Sequence, residues 1–375
     1  MSALEGLRIL DFSRVLAGPF ATMMLGDLGA TVIKVERPGQ GDDTRAWGPP
    51  FDEAGIPTYF LSVNRNKESV TLDLSNADDL AKARAMAQQS DVVIENFRPG
   101  VMEKLGLDYN SLSRDHSELV YCSISGFGNG AGSDLPGYDL LVQAMGGLMS
   151  ITGSAQGEPQ KVGVALVDVL AGLFATVGIL TAVMHSRETR QGQRVEIDLL
   201  SSLLAALVNQ SASFTSAGVV PTRMGNQHPS IAPYELFKTA SEDLVLAVGT
   251  DKQFASTCDV LGLSMLALDA EFATNTSRVA NRVELRKHLE VALSTKPAAY
   301  WVDRLSSVGV PAGVVNDIAA AFKFAEGLGL NPIIKVVRDD GTEVHLPKNP
   351  IGLSLTPASY RLAPPDLKNR ESSQS

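Results

Sequence analysis

The first 125 residues alternate short apolar, β-branched runs with helical stretches, and this rhythm constrains the fold more than any other feature of the chain. Leu7 to Phe12, Ala30 to Glu36, Ser69 to Leu74, Asp91 to Phe97 and Leu119 to Ser125 read as strands. Pro19 to Leu28 and Ala77 to Gln89 read as helices. Pro19 falls in an opening turn, where its missing N–H costs nothing. Strands alternating with helices at this spacing predict βαβ units and an α/β fold with a Rossmann-like, mostly parallel sheet. In such sheets ligands sit beyond the carboxyl ends of the strands. Three segments leave strands there in polar or glycine-bearing turns: Ser13-Arg14 with Gly18, Glu36 to Gly39, and Asn96 to Gly100.

The middle of the chain reads as helices over 138–149, 168–187 and 199–213, with one strand over 193–197 between the last two. From about Thr222 the texture changes. A hairpin over 235–239 and 244–248, helices to about Val308 and a return strand over 311–316 predict a smaller α+β domain. A late hairpin is expected over 333–337 and 343–346. At 375 residues the chain exceeds one small core. The expected division is a large domain over 1–212 completed by 317–375, a small one over 225–308, and linkers over 213–224 and 309–316. The polar tail beyond Pro364 is expected to fray.

Several function classes are disfavoured. A formal charge of −10 argues against a broad nucleic-acid surface. Two distant cysteines, Cys122 and Cys258, and five scattered histidines argue against disulfides and a metal centre. The opening Met1 to Leu7 lacks a basic segment and a long apolar run, so a cytoplasmic location without a signal peptide is expected. The uncharged run Val169 to Met184 is short for a membrane span and reads as a core helix.

Asp168 opens that apolar helix. Two readings stand side by side. Asp is a preferred N-cap and suits the positive helix end. The same position would keep a carboxylate ionised and ready for nucleophilic attack. Gly172 and Gly178 in the helix predict close approach of neighbouring segments. The turn Gly225-Asn226-Gln227-His228-Pro229-Ser230 is either a linker or a mobile lid. The run Gly126 to Gly132 fails the dinucleotide pattern at Ala131 and lacks the phosphate-loop ending, and Ser125 lacks the glycine a hydrolase elbow requires two residues before it. Arg14, Arg37, Arg45, Lys67, Arg98 and Lys104, all near strand ends, form a set suited to a phosphate-bearing ligand.

Five stretches carry a family resemblance: Leu10 to Pro19, Leu28 to Glu36, Asn66 to Leu74, Asp91 to Gly100, and Arg187 to Val195. In this order they resemble the class III CoA-transferases, with the likeness running to about Asn316. The resemblance implies that Asp168 is the catalytic nucleophile and that Val15, Leu16, Arg37, Leu72, Asn96, Phe97, Lys104 and Tyr138 line a coenzyme A site. It places the lid at Gly225, Asn226, Gln227 and His228, where the Gly225 to Tyr234 motif looks more like the dicarboxylate and general transferase branches than the formyl branch. It further implies coenzyme A as a substrate with no permanently bound cofactor, acyl-CoA and carboxylic acids as partners, and an interlocked homodimer. Near Ala363 to Lys368 the chain departs from the family's usual closing motif. The related α-methylacyl-CoA racemases carry a histidine in a Gly-His-Asp motif; here Gly137-Tyr138-Asp139 stands instead, and a tyrosine hydroxyl is a poor base at neutral pH. Transfer of CoA between acids is therefore the leading expectation. Racemisation and a non-catalytic acyl-CoA-binding role are the alternatives.

Overall fold

A computed structural model describes residues 2–367. Of the tail expected to fray, residues 368–375 lie outside them. The chain divides into two compact units, the first made of 1–148, 161–219 and 331–375, the second of 149–160 and 220–330. Residues 149–160 and 317–330, assigned from the sequence to the large domain, thus belong to the second unit.

The first unit is built on β1 (Arg8–Asp11), α1 (Ala17–Asp27), β2 (Thr31–Glu36), α2 (Thr58–Val63), β3 (Lys67–Thr71), α3 (Ala77–Gln88), β4 (Val92–Glu95), α4 (Val101–Leu105), α5 (Tyr109–Leu112) and β5 (Val120–Ser125). It continues through α6 (Asp139–Met145), then α7 (Leu148–Ile151) at the crossing between units, α8 (Leu166–Thr189), β6 (Arg194–Asp198), α9 (Leu199–Ala206) and α10 (Val208–Ala217). The six strands form one sheet in the order β3-β2-β1-β4-β5-β6, every neighbour parallel. That order reverses direction between β1 and β4, which opens a crevice at their carboxyl ends.

Side chains alternate across the sheet as a two-residue period requires. Ile9, Val92, Ile94, Val120 and Cys122 face a core shared with α1, α8 and α9. Leu10, Val93 and Tyr121 face a second core under α3 to α5. Two expected helices are each broken. The 138–149 helix stops at Gly146 and Gly147, the latter with φ +87°; the 199–213 helix breaks at Leu207 and Val208, where φ turns positive. Among the described residues α8 alone is long and apolar enough to cross a membrane. Here Val167, Ala171, Ala175, Ile179 and Ala182 bury one of its faces in the first core, so the length serves packing.

The second unit holds β7 (Tyr234–Phe237), β8 (Leu244–Ala247), α11 (Asp251–Leu261), α12 (Asn275–Ala280), α13 (Arg282–Leu293), α14 (Ala298–Ser307), β9 (Ala312–Val314) and α15 (Ile318–Gly327). Its antiparallel sheet, β7-β8-β9, matches the expected hairpin and return strand. The chain then re-enters the first unit through the hairpin β10 (Ile333–Val337) and β11 (Glu343–Pro347).

The extended segment after β11 is held by side chains. Buried Asp27 accepts two bonds from Arg65 (2.9 and 2.7 Å), one from Asn66 (2.8 Å) and one from Asn349 (3.1 Å). The Asn66 carboxamide in turn takes the Arg361 and Leu362 N–H groups and donates to the Ser359 carbonyl. Replacing one partner of a buried ion pair strands the other charge. Asp27→Ala is therefore expected to destabilise the first unit by roughly 3–5 kcal/mol, read as a lower denaturant midpoint.

Candidate active site

The loops leaving β1 and β4 meet at the switch point. Residues 13–15 have no secondary structure, yet side chains hold nearly every backbone polar group. Ser13 N–H donates to Asp11 (2.8 Å), and the Ser13 carbonyl accepts from Lys34 (2.8 Å). Both backbone groups of Arg14 pair with the Asn96 carboxamide at 2.8 Å, and Val15 N–H points at Asp42. Beneath them lies a fully buried charge cluster. Lys34 pairs with Asp42 at 2.8 Å and Lys67 with Asp11 at 3.3 Å, while Thr22 and Ser13 also donate to Asp11. Burial opposes the charge of Lys67 and lowers its pKa to about 8 despite Asp11. For Asp11, burial is outweighed by the two lysines and two hydroxyls, so its carboxyl sits below its ordinary value.

Two cavities flank this loop. The first, about 220 Å³, is lined by Val15, Leu16, Ala17, Asn96, Phe97, Tyr138 and Asp168. The second, about 250 Å³, is lined by Phe12, Arg37, Leu72 and Phe97. Arg14 and Phe97 border both, with the Arg14 guanidinium stacked 4.9 Å from the Phe97 ring. Seven of the eight residues expected to line a ligand site thus border these cavities; Lys104, on α4, borders neither. The expected basic set also splits. Arg14 and Arg37 share Asp43 (3.3 and 2.8 Å), and Arg98 lines the first cavity. Arg45 is instead committed to Glu36 by two 2.7 Å bonds, and Lys67 is buried. These last two are structural, because each finds a buried carboxylate that sequence position alone does not reveal.

Asp168 departs from both sequence readings. Helix α8 starts two residues earlier, at Leu166, after Ala165, with no side-chain cap from its own segment. Its opening amides are served from elsewhere: Asp139, first residue of α6, accepts the Val167 N–H at 2.8 Å and Gln143 Nε2 at 2.6 Å. Asp168 is left half-buried at the cavity wall, its carboxyl without a hydrogen-bond donor among the described residues. Burial, and then the Asp139 charge, push its pKa up to about 7. The helix end does not keep it fully ionised.

Glycine sets the approach of this helix. A Cβ on Gly172 would meet the Ala17 carbonyl oxygen at 2.7 Å, and one on Gly178 the Val195 side chain at the same distance. Gly172 lies four residues after Asp168 and so on the same helix face. The face that carries the carboxyl is the one docked on the start of α1. Similarly, Gly126 and Gly137 touch backbone to backbone, which folds the glycine-rich loop back and delivers Tyr138 to the cavity. Sequence reasoning missed Tyr59 on α2. Its hydroxyl is pushed up to about 12 by burial and by the carboxylates of Asp168, Asp139 and Asp42, and Trp47 packs edge-on against it at 5.3 Å. No local pattern marks that residue, about 110 positions before Asp168.

Gly225, Asn226, Gln227 and His228 lie in the second unit. There Gly225 N–H donates to the Gly153 carbonyl (3.0 Å), Gln227 reaches Glu235 (3.2 Å), and His228 accepts from Ser230 N–H (3.1 Å) while its ring lies 5.3 Å from Tyr234. Among the described residues no cluster of three metal-binding side chains occurs.

Similarity to known proteins agrees with this geometry. The profile of CoA-transferase family III matches residues 4–371. A succinate–glutarate CoA-transferase of Agrobacterium fabrum is 40% identical over 97% of this chain and 92% of its own. An acetyl-CoA:oxalate CoA-transferase of Acetobacter aceti is 40% identical over 93% and 89%. A crystal structure of a CAIB/BAIF family protein from Brucella suis superposes with a TM-score of 0.85 at 39% identity, covering 98% of this chain and 96% of that one.

The raised Asp168 pKa makes a stability prediction. The folded carboxyl binds its proton more tightly than an unfolded one with the ordinary value of 3.8. Its stabilising contribution is complete below that value and is lost as pH rises through about 7. Asp168→Asn is therefore expected to raise Tm relative to the parent chain at pH 8, with the gain shrinking as pH falls toward 4 in a thermal-melt series.

Proposed function

Because the chain belongs to CoA-transferase family III, we propose that it exchanges CoA between an acyl-CoA and a free dicarboxylate through covalent intermediates on Asp168. The observation that carries this reading is the Asp168 carboxyl itself. It stands at the wall of the switch-point cavity without a hydrogen-bond donor among the described residues, while Asp139 takes over the helix amide. A poorly solvated carboxylate is a stronger nucleophile than a hydrated one, and removing Asp139's neighbouring charge would make it easier to form.

The reaction then balances in four steps. The Asp168 carboxylate attacks the donor thioester carbonyl, forming a mixed anhydride and expelling CoA thiolate. The thiolate attacks the aspartyl carbonyl, releasing the donor acid and leaving an aspartyl-CoA thioester. An acceptor carboxylate displaces CoA thiolate from that thioester and forms a second anhydride. The thiolate finally attacks the acceptor carbonyl, and free Asp168 returns. No net proton is consumed. The anhydrides need shelter from water.

The dicarboxylate assignment is supported by the names of the relatives, which act on succinate and glutarate or on oxalate, and by two guanidinium groups, Arg14 and Arg98, at the cavity that holds Asp168. Arg37 and Leu72, in the neighbouring cavity, suit the nucleotide end of CoA. A homodimer belongs to the same reading. The support is apolar surface left on the outer face of α8, at Leu173, Phe174, Val177 and Met184.

Asp168→Ala is expected to abolish exchange between succinyl-CoA and glutarate while the chain stays folded, and hydroxylamine is expected to trap an acyl or CoA adduct on Asp168 of the parent chain. Full turnover by the variant ends the proposal. The pH profile adds a second check. The kcat/KM of the parent chain should rise with pH through about 7. Asp139→Asn removes one of the two causes of the raised value, so its limb should move to lower pH.

A further inference from the structure

Asn96 was expected to contact coenzyme A. It lines the first cavity, and its carboxamide is engaged by the backbone of the loop after β1. The Nδ2 group donates to the Arg14 carbonyl and Oδ1 accepts from the Arg14 N–H, both at 2.8 Å. Both ends of the carboxamide are thereby committed within the protein. Val15, the next residue, has φ +69°. A β-branched residue with positive φ is a genuine outlier, and such backbone persists only where its surroundings over-determine it.

The surroundings here can be named. The peptide joining Arg14 to Val15 is held at both ends. Its carbonyl is held by Asn96, and its N–H lies 3.3 Å from each Asp42 oxygen. Asp42 is itself locked by Lys34 at 2.8 Å. Two residues later the chain is fixed again, because buried Ala17 starts α1 and its carbonyl abuts Gly172 of α8. Between a clamped peptide and a docked helix start, Val15 has no freedom to relax to negative φ. Val15, Leu16 and Ala17 then form one wall of the cavity that Asp168 faces.

We infer that Asn96 is a positioning residue: its clamp on Arg14 forces Val15 into the left-handed conformation and so sets the cavity wall against the Asp168 carboxyl. The inference rests on Asp168 being the reacting group. Of the two hydrogen-bonding groups on this peptide, Asn96 makes the shorter bonds, and it alone holds both the N–H and the C=O of one residue. Its removal releases the wall, while Arg37, Leu72 and Phe97, which line the second cavity, stay in place.

The test is a double-mutant cycle of Asn96→Ala with Val15→Gly, since glycine adopts positive φ without strain. In the Val15 background, N96A is expected to lower kcat for CoA exchange by on the order of a hundredfold, the scale of a 1 Å misplacement. KM for the acyl-CoA should change by less than about threefold, since little of the binding energy passes through the clamp. In the V15G background the same substitution should cost under about tenfold, because glycine holds the conformation without the clamp. Equal losses in both backgrounds, or a raised acyl-CoA KM with kcat intact, overturn the inference and make Asn96 a direct ligand. Should N96A fail to fold, Asn96→Asp keeps the acceptor toward Arg14 N–H and loses the donor to its carbonyl, and carries the same comparison. The cycle is read from steady-state exchange, so its outcome is separate from whether an adduct on Asp168 can be trapped.

Discussion

The carboxyl end of the sheet depends on how three residues without secondary structure, 13 to 15, are held. A loop at a switch point has no ladder to satisfy its amides, and buried amides without partners are costly. Here the partners are the buried Asp11 of β1, Lys34 of β2 and Asp42 of the loop after β2, and the half-buried Asn96 of the loop after β4. The charges among them neutralise one another, Lys34 with Asp42 and Lys67 with Asp11. A loop held this way has nearly all of its backbone polar groups paired, and it places a valine with positive φ at the wall of the cavity that Asp168 also lines.

The same division of labour explains the state of the Asp168 carboxyl. A long apolar helix must have its first amides satisfied, and the nearest acidic residue in its own sequence is Asp168. Had Asp168 capped the helix, its oxygens would be occupied and its charge stabilised, which makes a poor nucleophile. Asp139, 28 residues earlier on α6, accepts the Val167 amide instead. The carboxyl of Asp168 is left poorly solvated beside a like charge, so it titrates near 7. At neutral pH a substantial fraction of chains holds it protonated, which is the cost of keeping a reactive group dry. Gly172 completes the arrangement by letting the helix face that carries Asp168 dock on Ala17.

The strand rhythm made the sheet legible, because parallel strands buried on both faces must be short, apolar and β-branched, and β1, β2, β4 and β5 are. The hairpins β7-β8 and β10-β11 were legible for the turn residues between them. Boundaries failed where a distant group decides them. The start of α8 depends on Asp139, and the helix over 199–217 breaks at a Val208 with positive φ that no local pattern announces. Lys67 and Arg45 read as part of a phosphate-binding set because burial and pairing with Asp11 and Glu36 arise only in three dimensions. Tyr59 was invisible for the same reason, since α2 reaches the carboxylates only after the chain has crossed the sheet. Asn96 borders the first cavity, but the target of its carboxamide is backbone, which sequence does not disclose.

If Asp168 is the covalent relay, its oxygens must exchange with those of the acids. The second anhydride collapses when thiolate attacks the acceptor carbonyl, and the bridging oxygen, which came from the acceptor, stays on the aspartyl side. The decisive measurement is turnover with glutarate carrying oxygen-18 in its carboxylates and succinyl-CoA as donor, followed by mass analysis of the peptide that contains Asp168. One oxygen-18 atom in the Asp168 side chain after a single turnover, with enzyme in excess over succinyl-CoA, and up to two after many turnovers, is the predicted result. Turnover to glutaryl-CoA with an unlabelled Asp168 would contradict the account, because CoA would then have passed between the acids without the aspartate ever carrying it.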